Sequence, residues 1–218
     1  MIGSNPLTGC SEKAHFLAIV SLSGLLLVPF GCGDSRSPVI DAPPLAQMDA
    51  PSRKGAGSVT GPIHGQSIVI ADAASSLFHS HVDSSTSAFI MMSTAASLCS
   101  DVESNISRAG STVVVLGVSN ATVTPKVAPT GPGDYAISTM APGNDAVWAV
   151  FTRDSACQPI AGSRATATSG SVALTMVNGN VYQGTYDVVL DSGEHVTGAF
   201  EPAACPALDQ PAPPPKCL

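Results

Sequence analysis

Arg164 to Phe200 reads RATATSGSVALTMVNGNVYQGTYDVVLDSGEHVTGAF, and its alternation decides the fold. Val172, Leu174 and Met176 fall on one face of an extended chain, and Ser171, Ala173 and Thr175 on the other, as a strand of period two requires. Asn178-Gly179 follows at once, a pair that accepts the positive φ of a tight hairpin turn. Tyr186, Val188 and Leu190 resume the apolar face against Asp187 and Val189. Asp191-Ser192-Gly193-Glu194 gives a second turn, after which Val196, Gly198 and Phe200 alternate with Thr197 and Ala199. Three antiparallel strands joined by two short turns make a meander. Pro202 closes it.

Working outward, Ala146–Thr152 (AVWAVFT) and Asp134–Thr139 read as further strands, with Pro142-Gly143 as the turn between them. Ser111–Val118 (STVVVLGV) is almost continuously β-branched, the pattern of a central strand. Ser93 is placed to cap a helix that carries Ala95, Leu98, Cys99, Val102 and Ile106 on one face. Before it come a short strand, Ala88–Met92, and a polar loop or edge strand, Phe78–Ser87. An opening pair, Val59–Ile63 and Ser67–Ala74, turns at His64-Gly65. The expected fold is all-β: an antiparallel β-sandwich or partly closed β-barrel of about eight to ten strands with one short packed helix.

Composition agrees. Only 11% of the 218 residues are charged, while Gly (20) and Pro (18) are abundant, and long helix formers are few. The net charge of −7 and the scattering of the nine Lys and Arg leave no basic patch, so no nucleic-acid partner is expected.

The N-terminal region supplies an address. Phe16–Cys32 (FLAIVSLSGLLLVPFGC) is an apolar run behind Lys13, too short to span a bilayer and built like a secretory signal. Its Gly31-Cys32 end resembles a bacterial lipobox, although Pro29 and Phe30 depart from the usual residues. The expected organisation is 1–31 signal peptide, 32–58 lipidated Cys32 with a Pro- and Ala-rich tether, 59–205 β domain and 206–218 Pro-rich tail. The expected place is the bacterial cell envelope, with the lipid on Cys32 holding the chain to the inner or outer membrane. Without the lipid the chain would be secreted.

Removing Cys10 and Cys32 leaves Cys99, Cys157, Cys205 and Cys217, an even number suited to an oxidising compartment. Cys157 and Cys205 both follow strand ends, so a Cys157–Cys205 bridge is expected, with Cys99 and Cys217 paired or free.

Candidate chemistry is sparse. His79 and His81, with Asp83, would share one face of a strand, and His-x-His beside a carboxylate can hold zinc or copper. The commoner reading is a polar loop, and no metal or other cofactor is expected. No GxSxG elbow, HExxH pair or Gly-rich phosphate loop occurs. His64 and His195 fall in turns, where a solvated side chain is the ordinary case. Trp148, Tyr135, Tyr182 and Tyr186 would line a groove if they faced solvent, but strand aromatics more often fill a core.

Across roughly residues 61–205, and most closely in the segment ending SGSVALTMVNGNVYQGTYDVVLDSGEHVTGAFEPAAC, the chain resembles predicted lipoproteins of myxobacteria-like Gram-negative bacteria. That resemblance implies membrane attachment and a β domain, and brings no catalytic residue. The expected function is an envelope lipoprotein with a non-enzymatic binding or structural domain. The alternative is an envelope metal-binding protein or hydrolase using His79 and His81.

Overall fold

The computed structural model describes residues 54–137, 146–210 and 214–218. Cys32 and the apolar leader lie outside them. The first half runs β1 (Ala56–Gly57), β2 (Asp72–His79), β3 (Thr86–Ser93), α1 (Leu98–Glu103), β4 (Ile106–Ser107) and β5 (Thr112–Val118). The second runs β6 (Gly133–Ala136), β7 (Ala146–Thr152), β8 (Ala165–Asn178), β9 (Val181–Leu190), β10 (His195–Glu201), β11 (Ala203–Ala204), a 3-10 turn (Pro206–Asp209) and β12 (Lys216–Cys217). The fold is all-β, one nearly closed barrel-like sheet with a single short helix among the described residues.

The meander forms as its alternation requires. Val172 pairs with Tyr186, Leu174 with Gly184, and Val188 with Val196. All of these but the glycine are buried. The β8–β9 loop is Gly179-Asn180, one position later than the Asn-Gly pair, with Asn178 opposite Val181. Two register shifts interrupt β8, between Ala167 and Ser169 and between Leu174 and Met176. Each inserts a residue and reverses which parity faces inward. Val177, rather than the expected Met176, therefore packs against the core.

Sheet order is β1-β10-β9-β8-β7-β5-β3-β2-β11, with β6 added to β8. Closure comes from two short strands. β10 continues through Pro202 into β11, which runs parallel to β2 through Ala203–Ala74 and Ala204–Ser75. β1 pairs with β10, and the Gly55 N–H donates to Asp72 Oδ1 at 3.0 Å. The last tether residues thus belong to the sheet, which begins before Val59. Inside, Trp148 meets Tyr186 with ring centroids 5.8 Å apart, among Ile90, Leu116, Tyr182, Val188 and Phe200. Gly198 sits opposite Tyr186, and a Cβ there would collide with the Tyr186 phenol and the Ser58 carbonyl. Its lack of a side chain lets the Tyr186 hydroxyl donate to the Ser58 carbonyl at 2.8 Å.

Outside the barrel, a smaller cluster of Ala74, Leu98 and Cys205, joined by Met91, Val102 and Leu208, packs α1 and the 3-10 turn onto the outer face. The helix is shorter than its apolar spacing predicts. Ser93 does not cap it; its hydroxyl oxygen instead accepts the Ala95 N–H at 3.0 Å, and Ile106 belongs to β4. The first helical N–H, from Leu98, is received by Asp72 Oδ2 at 2.7 Å. Asp72 is buried and also accepts the Ala73 N–H, so one carboxylate ties the sheet, the helix start and the N-terminal strand. The tail is likewise anchored: β12 pairs with β4, and the Leu218 N–H donates to the Ser107 carbonyl at 2.9 Å.

The cysteine pairing differs from expectation. Cys99 is joined to Cys205, and Cys157 to Cys217, with Cα separations of 5.6 Å and 5.5 Å. A Cys157–Cys205 bridge is ruled out by topology. β8 and β9 lie between β7 and β10, about 14 Å at ordinary strand spacing, far beyond disulfide reach. The two strands also run in opposite directions, so their C-terminal ends lie at opposite ends of the sheet. β11 carries Cys205 to β2, beside α1, and the tail brings Cys217 to Cys157.

Candidate functional site

β3 ends at Ser93, where Thr94 turns away and its backbone N–H donates to the Thr112 carbonyl at 3.0 Å. At that end of the barrel opens a groove of about 680 Å³, within the range of small-ligand sites. One wall is Ile63 to Val69, the other Ile160 to Ser163, and Val150, Thr112 and Thr152 line it between them. Its walls are mainly apolar, and no Lys, Arg, Asp or Glu lines it. Much of its polarity is already engaged. Thr112 Oγ1 and Thr152 Oγ1 lie 2.9 Å apart. Thr94 Oγ1 accepts the Thr112 N–H at 2.9 Å. Ser163 Oγ accepts the Thr152 N–H and donates to the Ile160 carbonyl. Val69 is 80% exposed and Ile160 43% exposed on the two walls.

The His64-Gly65 turn at the rim is held by Glu194. Its two carboxylate oxygens accept the His64 and Gly65 N–H groups at 2.9 Å each, and Ser192 Oγ donates to Oε2 at 2.8 Å. The Gly65 N–H chiefly, with the His64 N–H and the Ser192 hydroxyl, holds the Glu194 carboxyl below the ordinary range.

The histidine pair does not assemble as expected. β2 ends at His79, so His81 lies in the following turn rather than beside it on a strand face. His79 is turned to Asp209: its N–H donates to Oδ1 at 2.7 Å, and Nδ1 lies 2.8 Å from Oδ2. Asp83 is wrapped by serine, the Ser85 N–H and Oγ both donating to its Oδ1. The Ser80 and Ser85 hydroxyls hold the Asp83 carboxyl down at about 2. Among the described residues no group of three or more His, Cys, Asp and Glu side chains gathers in a metal-holding arrangement. His195 Nε2 lies 2.6 Å from Asp187 Oδ1 on the exposed face of the meander. Trp148, Tyr182 and Tyr186 are buried and Tyr135 packs against the same core, so these aromatics build the interior rather than a binding groove. Burial pushes the Tyr186 phenol above its ordinary range.

Sequence reasoning missed Asp72, Asp101, Asp209 and the groove itself. Asp209 is 130 residues from its partner His79 and Asp72 is 26 from Leu98, separations at which no local pattern signals a contact. Asp101, buried, takes a two-pronged grip from Arg108 at 2.8 and 2.6 Å, seven residues away across the end of α1. That spacing exceeds the helical one and so carries no signature.

Comparison with protein-family models, curated proteins and solved structures gave no match to this chain.

Proposed function

We propose that this protein is a bacterial envelope lipoprotein, anchored through acyl chains on Cys32, whose β-barrel domain has a binding or structural role rather than a catalytic one. The observation that carries the reading is the apolar run Phe16–Phe30 ending in Gly31-Cys32. The domain is consistent with that address: all four of its cysteines are in disulfides, which persist in oxidising compartments. In this reading the chain groups with the predicted lipoproteins it resembles, and the membrane is its first partner. Two or more acyl chains are needed for stable anchoring, since each buried methylene is worth about 0.8 kcal/mol. The barrel interior is filled by its own side chains, and the apolar groove at its mouth is the natural place for a binding role. The alternative, a metal-binding protein or hydrolase using His79 and His81, has His79 engaged by Asp209 and His81 in the turn after β2.

The test is mass spectrometry of the protein made in a lipoprotein-processing host. An acylated N-terminal Cys32 is the expected result, with Cys32→Ser abolishing both the mass increment and membrane fractionation. A mature N-terminus downstream of Cys32 overturns the proposal.

A further inference from the structure

We infer that Ser67–Ile70 is an edge strand that pairs with the same segment of a second copy of this chain. The sequence Ser67-Ile68-Val69-Ile70 is uncharged, with three β-branched residues in a row, and predicts a strand, yet β2 begins only at Asp72. The segment keeps the side-chain alternation of a strand. Ile68 and Ile70 pack against the core, while Val69 is 80% exposed. What it lacks, among the described residues, is a strand partner. The last rung toward β3 is the Ala71 N–H to the Ser93 carbonyl at 2.8 Å, because β3 then turns off toward α1. Where β3 has left, the groove opens past Thr94 and Thr112 and across to Ile160–Ser163. Among the described residues no hydrogen bond reaches the backbone of Ser67, Ile68, Val69 or Ile70.

The unmatched groups are amide N–H and C=O along an extended chain, a set that another strand satisfies and a lipid or small apolar molecule does not. Edges meant to stay alone are usually guarded by Lys, Pro or an inward charge. Gln66–Ala71 contains none of these. An uncharged alternating strand is its own antiparallel complement, and two copies related by a two-fold axis close on each other without propagating. The pairing would shelter Val69 and, on the facing wall, Ile160. An interface this small is weak and concentration-dependent. The inference does not depend on acylation of Cys32.

The experiment is sedimentation velocity on the purified chain from micromolar to millimolar concentration, with Cys32→Ser so that acyl chains cannot drive association. Hydrogen exchange is followed at the same concentrations. A monomer–dimer equilibrium is expected, with the amides of Ser67–Ile70 gaining protection as dimer forms. Val69→Pro removes a donor from the edge, and about tenfold weaker association is expected, while Val69→Ala keeps the backbone and retains the dimer. Val69 points outward, so circular dichroism and melting should match the parent in both variants. A monomer at every concentration overturns the inference. So does a dimer in which Ser67–Ile70 exchange as fast as in the monomer, or one untouched by Val69→Pro.

Discussion

The meander β8–β10 and the opening half formed by β2, β3, α1 and β5 are stabilised by different means. Each strand of the meander pairs with the next in sequence through a short turn, and neither disulfide touches it. The opening half is tied by contacts across long stretches of chain. Asp72 reaches Gly55 and Leu98, and Cys99 is covalently joined to Cys205, 106 residues away. Local pairing has little loop closure to overcome, whereas assembling α1, β2 and β11 closes long loops at an entropic cost that crosslinks offset. The two halves share one buried core; what differs is that the meander closes by local pairing, while the Asp72 carboxylate and a long-range crosslink fasten α1 and β11 to the opening half.

The largest expected effect lies in the meander. Val188 is fully buried between Gly170 and Val196, and Val188→Asp places an unpaired charge there, at a cost of about 5 kcal/mol or more. Urea unfolding measures it. A variant melting within a degree or two of the parent would show that this strand is not the centre of stability.

The opening half is tested by replacing Cys99 and Cys205 together with Ala. The chain-entropy model gives a loss of about 5 kcal/mol for a loop of this length. The expected outcome is a lower denaturation midpoint with the far-ultraviolet spectrum unchanged. An unchanged midpoint would mean that Asp72 and the apolar packing of α1 suffice without the crosslink.

The smallest effect is at Glu194, where the His64-Gly65 turn meets the meander. Its carboxyl is held below the ordinary value of 4.5 in the folded chain. Its contribution is therefore fully present above that pH and is lost as pH falls through the lowered value. Glu194→Gln should lower the melting temperature slightly at neutral pH, and the gap from the parent should close on acidification. A gap that persists in acid would assign the effect to geometry rather than charge.

The same division explains what the sequence made legible. The all-β class, the meander and the span of β7 follow from alternation and turn residues, which act over a few positions. The two shifts in β8 were not legible, because an inserted residue such as Thr175 is ordinary strand sequence until its partner is known. Ser67–Ala71 misled for the converse reason: its composition is that of a strand, but its neighbour β3 stops at Ser93. Cys157 and Cys205 were matched by their positions after strands, a rule that fails once β8 and β9 intervene. The groove, formed by the ends of separate loops, left no pattern along the chain.

The two crosslinks also interleave along the sequence, each joining an earlier cysteine to a later one. A polypeptide emerging N-terminus first exposes Cys99 and Cys157 as thiols before either correct mate has appeared. Cys205 and Cys217 both arrive after every strand of the meander. If oxidation begins during export, the first bond available within the domain is Cys99–Cys157, which the finished molecule does not contain, and thiolate exchange must undo it. Under that condition, reaching the native pairing requires delayed oxidation or disulfide exchange.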